Sequence, residues 1–296
     1  METPNMSHWY DQAGNSRYTI KSSKNVDRPT TLRDAKKFKY LPSVTTVIGL
    51  TAKPGLQHWI QDQLLNAAMD FDWFPTARHL NLFDKVNYEK RDPKTEAELE
   101  AFRVISKWKA IILEKSQKIG RDAADRGSEI HNALELFYKE GKIDDKHRVF
   151  IEPVIDFIAH KFPEVKDWQA EPSFAAEQGF GGKIDLVSVE HEIILDFKTK
   201  KDKAFTKSLK TDDYGMQLAA YGEGMGFVNF RTEERMGRYY NLFISVETPD
   251  LLRLEEYSLK EIDRNWKMFY NLLKFWQLSN NYDSSFTKEQ EEYNGN

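Results

Sequence analysis

The chain has 296 residues, of which 40% are hydrophobic and 13% aromatic, and a formal net charge of −4; such a chain buries a sizeable core and is not intrinsically disordered. No run of about 18 apolar residues occurs, which excludes a membrane-spanning helix. The absence of cysteine excludes disulfides, thiolate zinc sites, cysteine nucleophiles and any iron–sulfur cluster.

The opening METPNMSHWYDQ has neither the apolar core of a secretion signal nor the Arg-rich character of a transit peptide. A cytoplasmic protein of a bacterium, or of a phage-infected host cell, is expected. Residues 1–40 are polar and read as loop or short strands. The segment LPSVTTVIG (41–49) is short, β-branched and hydroxyl-rich. Pro54, with Leu56, Trp59, Ile60 and Leu64 at helical spacing, predicts an amphipathic helix after it. FDWFPTARHLNLF (71–83) is aromatic and broken by Pro75. Thr95 and Glu98 form a capping-box pattern for a helix to about residue 118. A second helix is expected over 120–140, ending at Gly141, and a third over 145–161.

The pattern then changes to three strands, 168–177, 180–189 and 191–198, followed by a helix at 213–225. Strands at 237–247 and 251–257 precede a long helix, 259–279, and a polar tail. This order predicts an α/β protein with a mixed central sheet flanked by helices. The expected division is a mostly helical region, 1–116, packed on the core and covering its active site; a core, 117–280; and a tail, 281–296.

Charge is unevenly placed. Residues 17–39 carry eight basic side chains against two acidic ones, and residues 198–210 six lysines against one aspartate. Runs of this kind are most often solvated surface. The second gains interest because it begins at Lys198, within GFGGKIDLVSVEHEIILDFKTKK (179–201).

In that stretch Asp185 lies between Ile184 and Leu186, and Asp196 follows Ile193, Ile194 and Leu195. A carboxylate at the end of an apolar strand is costly unless its charge is used. Lys198 is two residues beyond Asp196, hence on the same strand face. Gly179, Gly181 and Gly182 would let a backbone or a phosphate come close. Two carboxylates and an amine suit phosphodiester hydrolysis: the acids bind Mg²⁺ or Mn²⁺, and the amine offsets charge on the phosphate. A bare D-x-K is far more often a salt-bridged hairpin, with Lys198 simply neutralising Asp196. His131 shares a helix face with Gly127 and Glu135, and Gln217 shares one with Tyr221. Alone, each is an ordinary helix residue. Glu171, an acid in a strand before the hairpin, reads as a metal or water partner or as an exposed strand residue.

Taken in order, R-G-x-x-x-H (Arg126 to His131), G-x-x-D (Gly182 to Asp185), D-x-K-T (Asp196 to Thr199) and Q-x-x-x-Y (Gln217 to Tyr221) resemble the RecB-type branch of the PD-(D/E)XK nucleases. The chain is most similar to the mitochondrial genome maintenance exonuclease and its phage-encoded relatives, whose P-S-V-T-T-V-I-G…K-P-G-L-x-x-W segment resembles Pro42 to Trp59. The likeness spans about residues 40–225 and implies a restriction-endonuclease-like core. It implies His131, Asp185, Asp196 and the backbone carbonyl of Phe197 as metal ligands and Lys198 as the catalytic lysine. Gln217 and Tyr221 would position the strand or the attacking water, and Thr199 would support the lysine. Mg²⁺ or Mn²⁺ would serve, without the iron–sulfur cluster of some RecB-type relatives. The implied substrate is single-stranded DNA with a free end, in phage replication or recombination. Ser43, Thr45, Lys200, Lys201 and Lys203 are the candidate DNA contacts, and Trp59, Phe71, Trp73 and Phe74 are candidate stacking surfaces or ordinary packing. The alternatives are an endonuclease or flap-cutting enzyme with the same site, a non-catalytic nucleic-acid binder, and a phosphohydrolase of small molecules.

Overall fold

The computed structural model describes residues 8–22, 24–69, 96–228 and 235–282. It contains two compact units, one drawn from residues 1–51 and 129–296, the other from residues 52–128. The first unit is an α/β fold around a five-stranded mixed sheet.

The N-terminal segment contributes β1 (Trp9–Tyr10), β2 (Thr19–Lys21), β3 (Asp27–Pro29), α1 (Leu32–Phe38), β4 (Leu41–Pro42) and α2 (Val44–Ile48). Two helices here begin on hydroxyl caps. Thr31 and Asp34 form a capping box at α1, a helix not anticipated from the composition, and Ser43 caps α2. In the second unit lie α3 (Pro54–Met69) and the first part of α4 (Glu96–Glu140). Two helices were expected where α4 runs without a break. An interior glycine such as Gly120, at the expected break, costs about 1 kcal/mol against alanine and does not end a helix; the ring of Trp59 lies 3.4 Å from where its Cβ would stand. The Thr95 cap and the 71–83 segment, with Phe71, Trp73 and Phe74, lie outside the described residues. The helix ends as expected at Gly141, whose φ is +69°.

After α5 (Arg148–Lys161) come β5 (Gln169–Ala170), β6 (Ser173–Ala176), β7 (Phe180–Lys183), β8 (Leu186–Ser188) and β9 (Ile193–Lys200). Next are α6 (Asp212–Gly224), β10 (Arg238–Ser245), β11 (Leu252–Tyr257) and α7 (Leu259–Ser279). The sheet order is β11-β10-β9-β8-β5, with β9 and β10 parallel and the other pairs antiparallel.

The first two strands read from the sequence are each cut in two. Glu171 adopts φ +57° and precedes Pro172, which has no N–H to give to a ladder. The hairpin bends there and, opposite, at Ile184–Asp185. It stays paired through the bend by Glu171 N–H to Asp185 O (3.2 Å) and Ile184 N–H to Pro172 O (3.1 Å). One half, β5 with β8, joins the main sheet; the other, β6 with β7, forms a separate two-stranded sheet.

Strand alternation gives the sheet two apolar faces. Val187, Ile194 and Tyr239 pack with α2, α6, α7 and the β6–β7 hairpin. Leu186, Leu195, Phe197 and Leu242 pack with α5 and with Ile130, Ala133 and Leu134 of α4. A third cluster joins Trp9 and Ala35 to Trp276 and Tyr282. Tyr282 is therefore part of a core, although the sequence places it in the tail.

Asp34 ties α1 to β3. Its carboxylate takes both Arg28 guanidinium N–H groups (2.6 and 2.7 Å) and the Thr31 N–H (2.9 Å). The hydrogen bonds from Arg28 hold its pKa well below the usual carboxylate range, against the effect of burial. Asp34→Ala is expected to cost about 1–2 kcal/mol at neutral pH, the scale of a lost helix cap with its charged bond. Because the folded-state pKa is depressed, that stability is complete above the ordinary aspartate range and fades as pH falls through the depressed value. Thermal unfolding of parent and variant should therefore converge on acidification, and a gap that persists in acid would contradict this account.

Candidate active site

β9 begins as an apolar strand and ends as a polar one, Asp196-Phe197-Lys198-Thr199-Lys200. β10 accompanies it throughout, from Arg238↔Ile193 to Ser245↔Lys200. β8 pairs only with Ile193, Ile194 and Leu195, because the hairpin bends away at Asp185. From Asp196 onward, one edge of β9 has no described strand beside it.

Asp185 occupies the start of that gap, and its Oδ2 accepts the Phe197 N–H at 2.7 Å. A residue's N–H and C=O project to the same edge of a strand, so the Phe197 carbonyl faces the gap too. Asp196 and Lys198 share the sheet face that carries α6. Asp196 is 2% exposed. Its Oδ2 meets Lys198 Nζ at 2.5 Å and accepts from Asn241 Nδ2 at 2.7 Å. Lys198 also donates to Gln217 Oε1 (3.1 Å), and Gln217 Nε2 donates to the Tyr221 hydroxyl (2.6 Å). His131, on α4, brings Nδ1 to 3.5 Å from Asp185 Oδ1, with its ring edge-on to Phe197 at 5.9 Å. Two groups of contacts from three separated stretches of chain thus adjoin, His131–Asp185 and Asp196–Lys198–Gln217–Tyr221, linked through the backbone of Phe197.

Other candidates stand apart from that chain of contacts. Alternation sends Thr199 to the opposite face of β9 from Lys198, so it does not brace the lysine. Lys200 donates to the Tyr214 hydroxyl at 2.8 Å, while Lys201 and Lys203 are exposed. Ser43 is buried, and its hydroxyl is engaged with Thr45, Thr46 and the α2 backbone; Thr45 is exposed. Glu171 sits at the bend with its carboxylate ion-paired to Lys183. Gly181 and Gly182 admit protein, not ligand. A Cβ on Gly181 would stand 2.8 Å from the side chain of Tyr10, and one on Gly182 would stand 2.7 Å from the ring of Phe174.

The electrostatics follow from burial and crowding. Burial works against the charged form of Asp185, but the His131 imidazolium, the Lys198 ammonium and the Phe197 N–H together hold its pKa below normal. Asp196 goes the other way: burial, with the repulsion of Asp185, pushes it up to about 6 despite Lys198. Burial disfavours the Lys198 ammonium, yet the two carboxylates keep its pKa raised. Burial also raises the Tyr221 phenol well above normal, so it stays a neutral donor or acceptor.

As ligands for a cation, Asp185, Asp196, the Phe197 carbonyl and His131 are hard oxygens with one imidazole, a set suited to Mg²⁺ or Mn²⁺. Asp196 Oδ1 accepts no hydrogen bond among the described residues, which leaves it a lone pair to offer. Chemically the residues fit. The group of three acidic or imidazole side chains whose ligand atoms all lie within 4.8 Å of one another among the described residues is a different one, Asp167, Glu190 and His191 at the other end of β9, which could hold a metal ion.

Asn241 was missed from sequence. It lies opposite Asp196 in the β9–β10 register, is wholly buried, and spends its amide N–H on that carboxylate while its Oδ1 has no partner. The available signal was one amide in the apolar strand RYYNLFIS, since a buried amide needs a polar neighbour.

No family model and no curated protein matches the chain. Among solved structures it is similar to a protein from Eubacterium rectale provisionally named an exonuclease, with 16% identity over 67% of this chain and 72% of that one and a TM-score of 0.34. It is also similar to SSO0001, with 16% identity over 40% of this chain and 55% of that one and a TM-score of 0.24. Overlaps this loose carry no weight for an activity. Among the described residues, no helix is long and apolar enough to cross a membrane.

For His131, burial lowers the pKa, but the Asp185 carboxylate outweighs it and the net shift is upward. Replacing Asp185 with asparagine should reverse the sign. In a carbon-detected NMR titration, His131 should ionise above about 6.5 in the metal-free parent and below it in Asp185→Asn. Equal midpoints in the two proteins would break the proposed Asp185–His131 pairing.

Proposed function

We propose that this protein is a metal-dependent deoxyribonuclease of the PD-(D/E)XK type, hydrolysing phosphodiester bonds from free single-stranded DNA ends. The observation that carries the reading is the convergence of Asp185, Asp196 and Lys198 at the uncovered edge of β9. Crowded acids around one ammonium are wasteful as a structural device, since two buried carboxylates repel each other. They make chemical sense beside a reacting phosphate.

Asp185 and Asp196, with the Phe197 carbonyl and His131, would hold a divalent cation that lowers the pKa of a bound water and polarises the phosphate. Lys198, kept protonated by the two acids, places a positive charge where negative charge grows on the phosphate oxygens. Gln217 accepts from Lys198 and is itself held by Tyr221, so the pair aims the ammonium. Lys201 and Lys203 stand exposed just beyond the strand and are suited to backbone phosphates, with Thr45 as a hydroxyl donor. Preference for an end, and a place in phage DNA replication or recombination, are what the family resemblance implies.

The test is cleavage of linear against covalently closed single-stranded DNA, with Mg²⁺ or Mn²⁺. Loss of the linear substrate alone is expected, and Lys198→Ala should lower kcat by about 10²–10³-fold or more, the scale of removing one preorganised donor. Cutting of the circle would establish an endonuclease with the same centre. Unimpaired cleavage by Lys198→Ala would remove the proposed site.

A further inference from the structure

Of the eight basic side chains in residues 17–39, three are neutralised within the segment: Arg17 by Asp11 (2.7 Å), Lys21 by Asp27 (2.9 Å) and Arg28 by Asp34 (2.6 Å). The other five, Lys24, Arg33, Lys36, Lys37 and Lys39, are exposed and have no acidic partner among the described residues. Arg33, Lys36 and Lys37 recur at three- and four-residue spacing, so they share one face of α1. The opposite face is anchored by buried Asp34 and Ala35, and Lys39 closes the helix in the left-handed region. Like charges so placed repel one another. The helix dipole favours Lys36 and Lys37 in the last turn but disfavours Arg33 in the first, so helix stability alone does not explain the face.

An aromatic surface accompanies the charge. Phe38 is 44% exposed, stacks on Tyr40 at 5.6 Å and 25°, and has Lys37 Nζ 5.1 Å over its ring. Ammonium groups beside an open aromatic face match the two components of single-strand binding, backbone phosphates and unstacked bases. An acidic peptide would use the charge but not the ring.

We propose that the basic face of α1 is a second anchoring surface for single-stranded nucleic acid, separate from the centre at β9. Side-chain alternation along β1 separates the two. Tyr10 projects onto Gly181 in the hairpin beside Tyr221, whereas Trp9 projects into the cluster that holds Ala35 of α1. The α1 surface therefore binds strand that is not reacting. This inference rests on the nucleic-acid reading of the centre, though not on its catalytic competence.

The test is binding of a long fluorescent oligothymidylate to the full chain in EDTA, measured across a salt series. Lys36, Lys37 and Lys39 are replaced together by glutamine, and a charge-matched control replaces Lys161, Lys166 and Lys260. Each lost phosphate contact lowers the slope of log K against log salt by about 0.7 on a single strand, so the α1 variant should lose about 2 while the control keeps the parental slope. Cleavage of a short oligonucleotide should be unchanged in both. A parental slope in the α1 variant, an equal loss in the control, or no binding by the parent would overturn the proposal. An α1-dependent slope in a parent that cuts nothing would leave this surface standing and sink the nuclease reading instead.

Discussion

A strand hairpin that bends is the constraint on which the site depends. Glu171 in the left-handed region, followed by a proline without an amide hydrogen, prevents β5 and β6 from continuing as one strand, and the partner strand breaks opposite them at Ile184–Asp185. Had the hairpin run straight, β7 would have covered β9 from Asp196 onward, and the Phe197 N–H would have gone to a backbone carbonyl. It goes instead to the Asp185 side chain. The bend thus creates an uncovered strand edge and supplies the carboxylate that sits in it. Tyr10 and Phe174, packed where Gly181 and Gly182 have no side chains, hold the diverging half in place.

Once Asp185 and Asp196 are brought together, their charges become the main electrostatic constraint on the site. Both carboxylates cannot be charged cheaply in a low-dielectric site without cations nearby. Lys198 provides one, and a divalent ion would provide the stronger one. The opposed directions of the two acids follow from their surroundings: burial and the repulsion of Asp185 push Asp196 up to about 6, while His131 and Lys198 outweigh burial at Asp185. Asn241 adds a neutral donor to the more strained acid from the neighbouring strand at the same register. An amide there orients the carboxylate without adding a second competing ammonium.

What could be read in the sequence was whatever has a local period or a local cap. The run Ile193-Ile194-Leu195 followed by Asp196 and Lys198 announces a strand and the face its polar residues share, and Gln217 with Tyr221 shows one helix face. The helix at 259–279 was found at its true bounds, where Ser258 and Glu261 form a capping box. The sequence could not reveal pairing, because pairing is decided at a distance. Thr199 looked like a neighbour of Lys198 and lies on the other face by the same alternation that unites Lys198 with Asp196. The glycines before Asp185 looked like room for a phosphate and are room for Tyr10 and Phe174. Asn241, about 45 residues after Asp196 in the chain, becomes its partner only through a parallel register that no local pattern records.

The Asp167–Glu190–His191 cluster shows why closeness of ligand atoms is a weaker guide than what those atoms are already doing. Asp167 Oδ1 accepts the Ser188 hydroxyl at 2.6 Å, its Oδ2 accepts the Glu190 N–H at 3.1 Å, and the Ser188 oxygen also accepts the His191 N–H at 3.2 Å. These bonds close the turn between β8 and β9, and a cation bound there would compete with them for the same lone pairs. At Asp185 and Asp196 three of the four carboxylate oxygens are likewise engaged, by His131, the Phe197 N–H, and Lys198 with Asn241. Asp196 is buried, the acids repel each other, and Asp196 Oδ1 accepts nothing from the described residues, so a cation would relieve a cost the fold already carries. The two ends of β9 therefore differ: one uses its carboxylates to finish a turn, and the other gathers them around the Lys198 ammonium.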